Sequence, residues 1–502
     1  MNPNLKQLVN PYLPSYEYIP DGEPYVFGDR VYIYGSHDKY NGDVYCELDY
    51  VCWSAPVNDL GDWRYEGVIF RKDQDPCNDE LDGNLYAPDV TVGPDGRYYL
   101  YYSLSSMGRV GVAVCDEPAG KYDFYGYVHY DDGTALGEKE GDEPQFDPAV
   151  LTEDGITYLY TGFCGPGDPK RHGAMVTLLD KDMLTVIKPP AFIAPGEYYR
   201  KGTSFEEHPF FEAPSMRKAG GRYYFIYSSV VNHELCYALS DSPEGPFEYG
   251  GVIVSNCDIG IDTYKKADMP CVPYANNHGS MECINGQWYI FYHRHTNGHN
   301  YSRQECMEKI YIGDDGSIAQ AEITSCGGTP LKGSGVYPAY IACNLYLESD
   351  EKRDDLNVCD VFKPRHMIIP WIGWLCDDYP KIVQDHSDLT PDEYDKVSAV
   401  KDIKSYVSNM RDGSVAGFKY FDIKGLKKIA IHTKGYGRGR MEVYAAGRET
   451  PDKKELICTI PVSSKNTFIR WEGDASVKDG VYALYFIFRG ESNLNLLDFE
   501  LI

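Results

Sequence analysis

Five glycine turns, each followed by a short run of aromatic and β-branched residues, recur along the first two thirds of the chain: GDRVYIYGS at 28–36, GRYYLYYS at 96–103, GITYLYTG at 155–162, GRYYFIYSS at 221–229 and GQWYIFYHR at 286–294. Glycine allows the bend, and tyrosine, valine and isoleucine suit a pleated, half-buried surface, so each unit predicts a turn feeding an antiparallel sheet. The turn glycines Gly28, Gly96, Gly155, Gly221 and Gly286 are 68, 59, 66 and 65 residues apart. Further strands such as VAVCDEP and KIYIGDDGSI fall between them, with almost no sustained 3.6-residue periodicity. A unit of this length has room for four strands and their loops. Small sheets repeated around an axis are one of the few ways an all-β chain shelters its edges. The sequence therefore predicts an all-β fold with a five-bladed β-propeller over residues 1–330. Two stacked sandwiches would account for the strands but not for five nearly equal spacings.

The pattern then changes. Residues 331–400 are irregular and charged, as in ESDEKRDDLNVCDVF and QDHSDLTPDEYDK, around the apolar MIIPWIGWLC. That run is too short to cross a membrane and too apolar for a free linker, so the expectation is a connecting segment packed on its neighbours. Alternation returns in GFKYFDI, KKIAIHT, RMEVYAAG, ELICTIPV, NTFIRWEG, GVYALYFIFRG and LNLLDFELI. Seven short strands in about 100 residues predict a β-sandwich of jelly-roll type over 401–502.

Charge narrows the partners. The chain carries 48 basic against 76 acidic residues, a formal net charge of −28. A nucleic-acid partner needs clustered Lys and Arg to displace counterions, so it is excluded in favour of neutral ligands. No membrane partner is indicated either, because no apolar run reaches the roughly 18 residues of a span. The beginning of the chain, MNPNLKQLVNPYLPSYEY, has no apolar stretch of the secretory kind, and the 15 cysteines are irregularly spaced without a C-x-x-C pair. Both features point to a cytoplasmic protein with mostly buried, reduced thiols. Pairing with a second copy of the chain is left open.

Three carboxylates share a position within the repeat. Asp21, in IPDGEP, lies 7 residues before its turn glycine; Asp147, in FDPAVLTEDG, lies 8 before; Glu212, in FEAPSM, lies 9 before. An acid in a Pro/Gly-rich bend ordinarily bonds its own turn, but independent turn acids have no reason to fall into register. Residues just ahead of the inner strands of separate blades would meet at one end of the propeller axis. Glycoside cleavage asks for such a set: one protonated carboxyl for the leaving oxygen and one ionised carboxylate for water or the anomeric carbon. A third acid holds up the donor's pKa by like-charge repulsion. Glu212 has the apolar sequence neighbours Phe210, Phe211, Ala213 and Pro214, which favour its protonated form.

The ordered set IPDGEP, FDPAVLTEDG, FEAPSM and NNHGSMECINGQWYIFYHR resembles glycoside hydrolase family 43, five-bladed β-propeller enzymes acting on xylose- and arabinose-containing polysaccharides. The resemblance covers roughly residues 10–325. It implies that Asp21 is the general base, Asp147 orients the base and modulates the acid, and Glu212 is the general acid. Here Asp21 is followed by Gly-Glu-Pro where the family usually has Asp-Pro, which makes Glu23 a competing match. The eight-residue distance from Asp21 to Asp29 equals the family spacing and favours Asp21, with Glu23 shaping a subsite or the rim. Inversion at the anomeric carbon is implied too, with base and acid about 6.5–9.5 Å apart to admit water.

A lone histidine is ordinarily structural, but the resemblance gives His278 a place near the axis beside one calcium ion held otherwise by waters. No organic cofactor is implied. Arg294 matches a family arginine near the sugar pocket. Asp89, in LYAPDV, matches a motif in which Tyr86 stands where tryptophan is usual; Asp89 would bind substrate or anchor its turn. Trp53, Phe163 and Tyr86 are candidate aromatic faces for a sugar ring. The C-terminal region resembles, more weakly, carbohydrate-binding module family 6, with Tyr436 and Asn495 as candidate contacts but no evident aromatic pair. The expected function is an inverting exo-hydrolase that releases terminal α-L-arabinofuranosyl or β-D-xylosyl units from small oligosaccharides. A non-catalytic carbohydrate-binding propeller and an endo-arabinanase are the alternatives.

Overall fold

The computed structural model describes residues 6–78, 82–165, 167–352, 379–385 and 403–502. Blades 1 to 4, at 23–70, 85–127, 149–195 and 210–255, are four-stranded antiparallel meanders, and the fifth, at 281–310, has three strands. The first strands of the blades, Glu23–Phe27, Leu85–Val92, Ala149–Glu153, Phe210–Ala219 and Met281–Ile284, contact one another around the axis. Each of the five turn glycines joins a first strand to a second with φ between +64° and +85°, a conformation that costs any residue with a Cβ. The repeat legible in the sequence is thus the inner hairpin of each blade.

Blade 5 lacks the fourth strand because the beginning of the chain covers its edge. Tyr12 donates its amide to Glu305, Asn10 donates its side-chain amide to the Met307 carbonyl, and the Met307 amide returns to Asn10 Oδ1. These bonds close the ring. Apolar clusters fill the spaces between successive blades: Val31, Trp53 and Phe291 between blades 5 and 1, Tyr34 and Leu100 between 1 and 2, Tyr101 and Leu159 between 2 and 3, Tyr160 and Phe225 between 3 and 4.

All seven strands expected in the C-terminal region form, in two six-stranded sheets that face each other across Phe418, Phe421, Phe486 and Phe499. The boundary expected at 401 is corrected. Strands Leu331–Lys332, Gly335–Pro338, Asn344–Leu347 and Lys381–Gln384 pair into these sheets, so the sandwich begins at 331. They are two to four residues long, too short to show alternation. The run MIIPWIGWLC lies outside the described residues. No helix among the described residues is long and apolar enough to cross a membrane.

The two domains share a core with blades 4 and 5. Lys419 of the sandwich, fully buried, sets its ammonium 3.0 Å from Asp258 and 2.7 Å from Glu322 of the propeller. Leu345 donates its amide to Cys271, and Ile382 donates its amide to Thr296.

Candidate active site

Asp21 and Asp147 stand two residues ahead of inner strands, and both have positive φ, 62° and 47°. Glu212 is the third residue of its strand; the extra length is absorbed by register shifts on either side of it, and Ala213 next to it has φ 63°. These kinks aim all three side chains at one mouth, the positive φ falling on the acid itself at Asp21 and Asp147 and on the next residue at Glu212.

Contacts tie the three together. Asp147 accepts the amide of Ala213 at 3.2 Å, which links it to the strand of Glu212. His278 Nδ1 sits between the two aspartates, 3.8 Å from Asp21 Oδ1 and 3.9 Å from Asp147 Oδ2. The Asp21 turn is held from blade 5: its amide donates to His293 Nδ1, and the Gly22 amide donates to Glu305. A Cβ at 22 would lie 2.9 Å from the Glu305 carboxyl carbon and would push that carboxyl aside. A proline at 22 would have no amide to give Glu305.

Burial, and then the negative charge of Asp21, push the Glu212 carboxyl up to about 8, against a smaller opposing pull from Arg303 and a hydrogen bond from Asn276. Asp147 is also raised, by burial and by the charges of Glu212 and Asp21. Glu212 therefore carries its proton at neutral pH. Burial lowers His278, which is neutral in spite of its acidic neighbours.

The arginine of the site is Arg303, not Arg294. Arg303 Nη1 lies 2.9 Å from Asp21, while its Nε and Nη2 grip Asp38 at 2.8 and 2.9 Å, and its guanidinium lies over the Tyr45 ring. Arg294 instead donates Nε to Cys306 Sγ and Nη1 to the Ala342 carbonyl, bracing the sandwich. Three other expected contacts are also corrected. Trp53, in the third strand of blade 1, is buried core: it donates to Glu17 and packs on Tyr65. Asp89 is fully buried, accepting from Tyr25, Val90 and Val150, and so anchors its blade turn. Glu23 lies on the axis below the mouth, paired with Arg217 at 2.7 Å and with Ser215, rather than on the rim.

Tyr86 and Phe163 do border the mouth. They belong to a ladder Tyr86–Phe146–Phe163–Phe211 with ring centroids 5.6, 5.1 and 5.4 Å apart, flanking Asp147 and Glu212 in sequence. Tyr45 and Tyr301, edge to face at 4.6 Å, form an opposite wall beside Arg303. Sequence reading missed Arg303, Tyr45, Phe146 and Asn276; of these Phe146, in the motif of Asp147, and Asn276, in the motif of His278, carried a local signal. In the sandwich, Tyr436 is exposed, and Asn495 accepts the Asn409 amide.

Comparison with known proteins places this architecture among the glycoside hydrolases. The chain belongs to glycosyl hydrolases family 43, whose family model matches residues 17–318. It is 56% identical over 498 residues, 99% of both chains, to a xylosidase/arabinosidase of Thermoclostridium stercorarium. Among solved structures it is similar to a β-xylosidase/α-arabinofuranosidase of the family from a compost microbial metagenome, in complex with xylotriose in its calcium-free form: 27% identity, TM-score 0.50, covering 63% of this chain and 98% of that one. A family enzyme from Xanthomonas citri complexed with xylose is 26% identical with TM-score 0.50, covering 63% and 94%.

The residues around the axis suit a cation. Glu23, Asp89 and Glu282 face a single guanidinium, Arg217, and Glu23 Oε1 is buried without a hydrogen-bond partner. The neutral imidazole of His278 is the form that coordinates metal.

Proposed function

We propose that the chain is an inverting exo-acting hydrolase that releases a terminal α-L-arabinofuranosyl or β-D-xylosyl unit from hemicellulose- or arabinan-derived oligosaccharides. One observation carries the proposal: Glu212, raised to about 8, shares a mouth with Asp21, whose carboxylate is paired with Arg303. Asp21 removes a proton from water as the water oxygen bonds to the anomeric carbon. On the opposite face Glu212 gives its proton to the glycosidic oxygen as the carbon–oxygen bond breaks. Asp21 then releases its proton to solvent, and Glu212 takes one back.

Asp147 positions the acid through the Ala213 amide, and burial with the like charge of Asp21 keeps Glu212 protonated. The aromatic ladder and the Tyr45 wall bound the sugar. Calcium, when bound, would be held by His278 and the axial carboxylate Glu23, with water completing its shell, and would add positive charge beneath the acids. Thirteen free cysteines among the described residues, ten of them buried, support a reducing compartment, where such an enzyme would finish imported oligosaccharides.

A panel of nitrophenyl furanosides and pyranosides tests the activity, with the anomer of the first product read by NMR. Turnover of the β-D-xylopyranoside or the α-L-arabinofuranoside with inversion is expected. Binding of xylobiose or arabinobiose without turnover would make the chain a carbohydrate-binding propeller. Internal cleavage of arabinan would make it an endo-enzyme.

The alkaline limb of the pH profile follows from Glu212. The acid is competent below its folded pKa, so kcat on xylobiose should hold to about pH 8 and fall above it. A fall centred near the ordinary glutamate range would remove Glu212 as the donor.

A further inference from the structure

A second aromatic cluster lies on the outer part of blade 3, beside the ladder that borders the mouth. Phe192, Tyr198 and Tyr199 are 53%, 50% and 44% exposed, on a protein whose other aromatics are mostly buried. The His172 ring joins two of them, with centroids 5.0 Å from Phe192 and 4.4 Å from Tyr199. His172 hangs from the loop that follows Phe163, Tyr198 and Tyr199 from the loop that precedes Phe210, and Phe192 stands near the end of the outer strand Val186–Pro195 that leads into that second loop. Both loops open on the same face as Asp147 and Glu212.

The connection to the mouth is short. Cys164, next to Phe163, donates its amide to the carbonyl of Phe211 at 2.7 Å. Its sulfur lies 2.6 Å from where a Cβ on Gly196 would stand, so glycine there lets the outer loop close on the ladder. Gly196 in turn donates its amide to the His172 carbonyl and accepts that of Tyr199.

Two of the rings are held by hydrogen bonds. His172 Nδ1 is 2.5 Å from Glu143, and the Tyr199 hydroxyl donates to the Pro169 carbonyl at 3.0 Å. Exposed aromatic faces cost solvation when they meet nothing, and rings already held in place lose little entropy on binding.

We infer that Phe192, His172, Tyr198 and Tyr199 form a platform for the leaving-group side of the substrate, stacking on pentose units beyond the one released. This rests on the function proposed above and assigns its substrate class: oligosaccharides of several units rather than disaccharides alone. A neutral pentose chain fits because it presents flat C–H faces to the rings and hydroxyls to Glu143, Asp168 and the tyrosine hydroxyl, and carries no charge for the acidic surface to repel. Continuity with the ladder at the mouth favours this occupant over a second copy of the chain.

The test compares Phe192→Ala/Tyr199→Ala and, separately, Tyr198→Ala with the wild type. The readout is the ratio of kcat/KM on the xylo- or arabino-hexasaccharide to that on the matching nitrophenyl pentoside. Loss of ring faces should lower this ratio about fivefold in the double variant, mainly through KM, and Phe192→Tyr/Tyr199→Phe should restore it. A ratio equal to the wild type's in both alanine variants overturns the platform, as does a change of oligomeric state in gel filtration with no change of ratio. If the wild type turns over neither substrate, the proposed function has failed, and calorimetric binding of the hexasaccharide decides the platform separately: equal affinity in wild type and double variant rejects it.

Discussion

Glu212→Ala and Asp21→Ala are each expected to lose at least about a hundredfold in kcat on xylobiose or arabinobiose, the scale that positioned proton transfer contributes. The two losses should differ on an activated substrate. A nitrophenolate leaves with little help from a proton, so Glu212→Ala should recover much of its rate on the nitrophenyl pentoside. Asp21→Ala should not, because water needs its base whatever the leaving group. Steady-state kinetics of both variants on both substrates, with unfolding temperatures to exclude collapse, give the four numbers required. Equal losses on both substrates would remove the division of labour between the two carboxyls. Retained activity in both variants would remove the site.

Much of this site could be read from the chain because blade geometry repeats. A turn glycine with positive φ fixes where each inner strand ends, and the chain at the far end of that strand emerges at the axis. Asp21, Asp147 and Glu212 were therefore legible by counting back from Gly28, Gly155 and Gly221. Glu23 was open to the same logic: two residues after Asp21 on an inner strand, it keeps the same face and lies deeper on the axis. Trp53 sits on a third strand, which the inner two strands screen from the mouth.

Arg294 and Arg303 were not separable from sequence. Both lie in blade 5, and Arg294 is directly opposite Gln304, the neighbour of Arg303. Arg294 is taken up by Cys306 and by the carbonyl of Ala342, a residue of the sandwich 48 positions beyond it, a contact that local sequence does not show. The short strands after 331 escaped for a related reason: three of the four are set by partners about 70 to 165 residues away, and the fourth, Lys381–Gln384, pairs with Ser405–Ser408 over too few residues to show alternation. Local patterns show the blades and where their acids cluster, but not contacts between domains.

Arg303→Met should be as damaging as loss of either proton-transfer residue, and by a different route. Arg303 is 2% exposed and neutralises two buried carboxylates, Asp21 and Asp38. Removing one partner of a buried ion pair leaves uncompensated charge and typically costs about 3–5 kcal/mol, so a large drop in unfolding temperature is expected. Activity should fall about a hundredfold or more, because Asp21 loses the group that fixes its carboxylate.

Two companions separate folding from chemistry. Arg303→Met/Asp38→Asn removes one of the two stranded charges and should regain part of the stability while leaving the rate low. Arg303→Lys keeps the charge but not the fork that spans Asp21 and Asp38, and should fall between wild type and Arg303→Met in both respects. Arg303 also pulls the Glu212 pKa down. In any folded variant without the positive charge, the alkaline limb of kcat should therefore move above its wild-type position near pH 8. A limb that stays put or moves down while activity is lost would mean that Arg303 only supports the fold. A limb that moves up ties it electrostatically to the reacting pair.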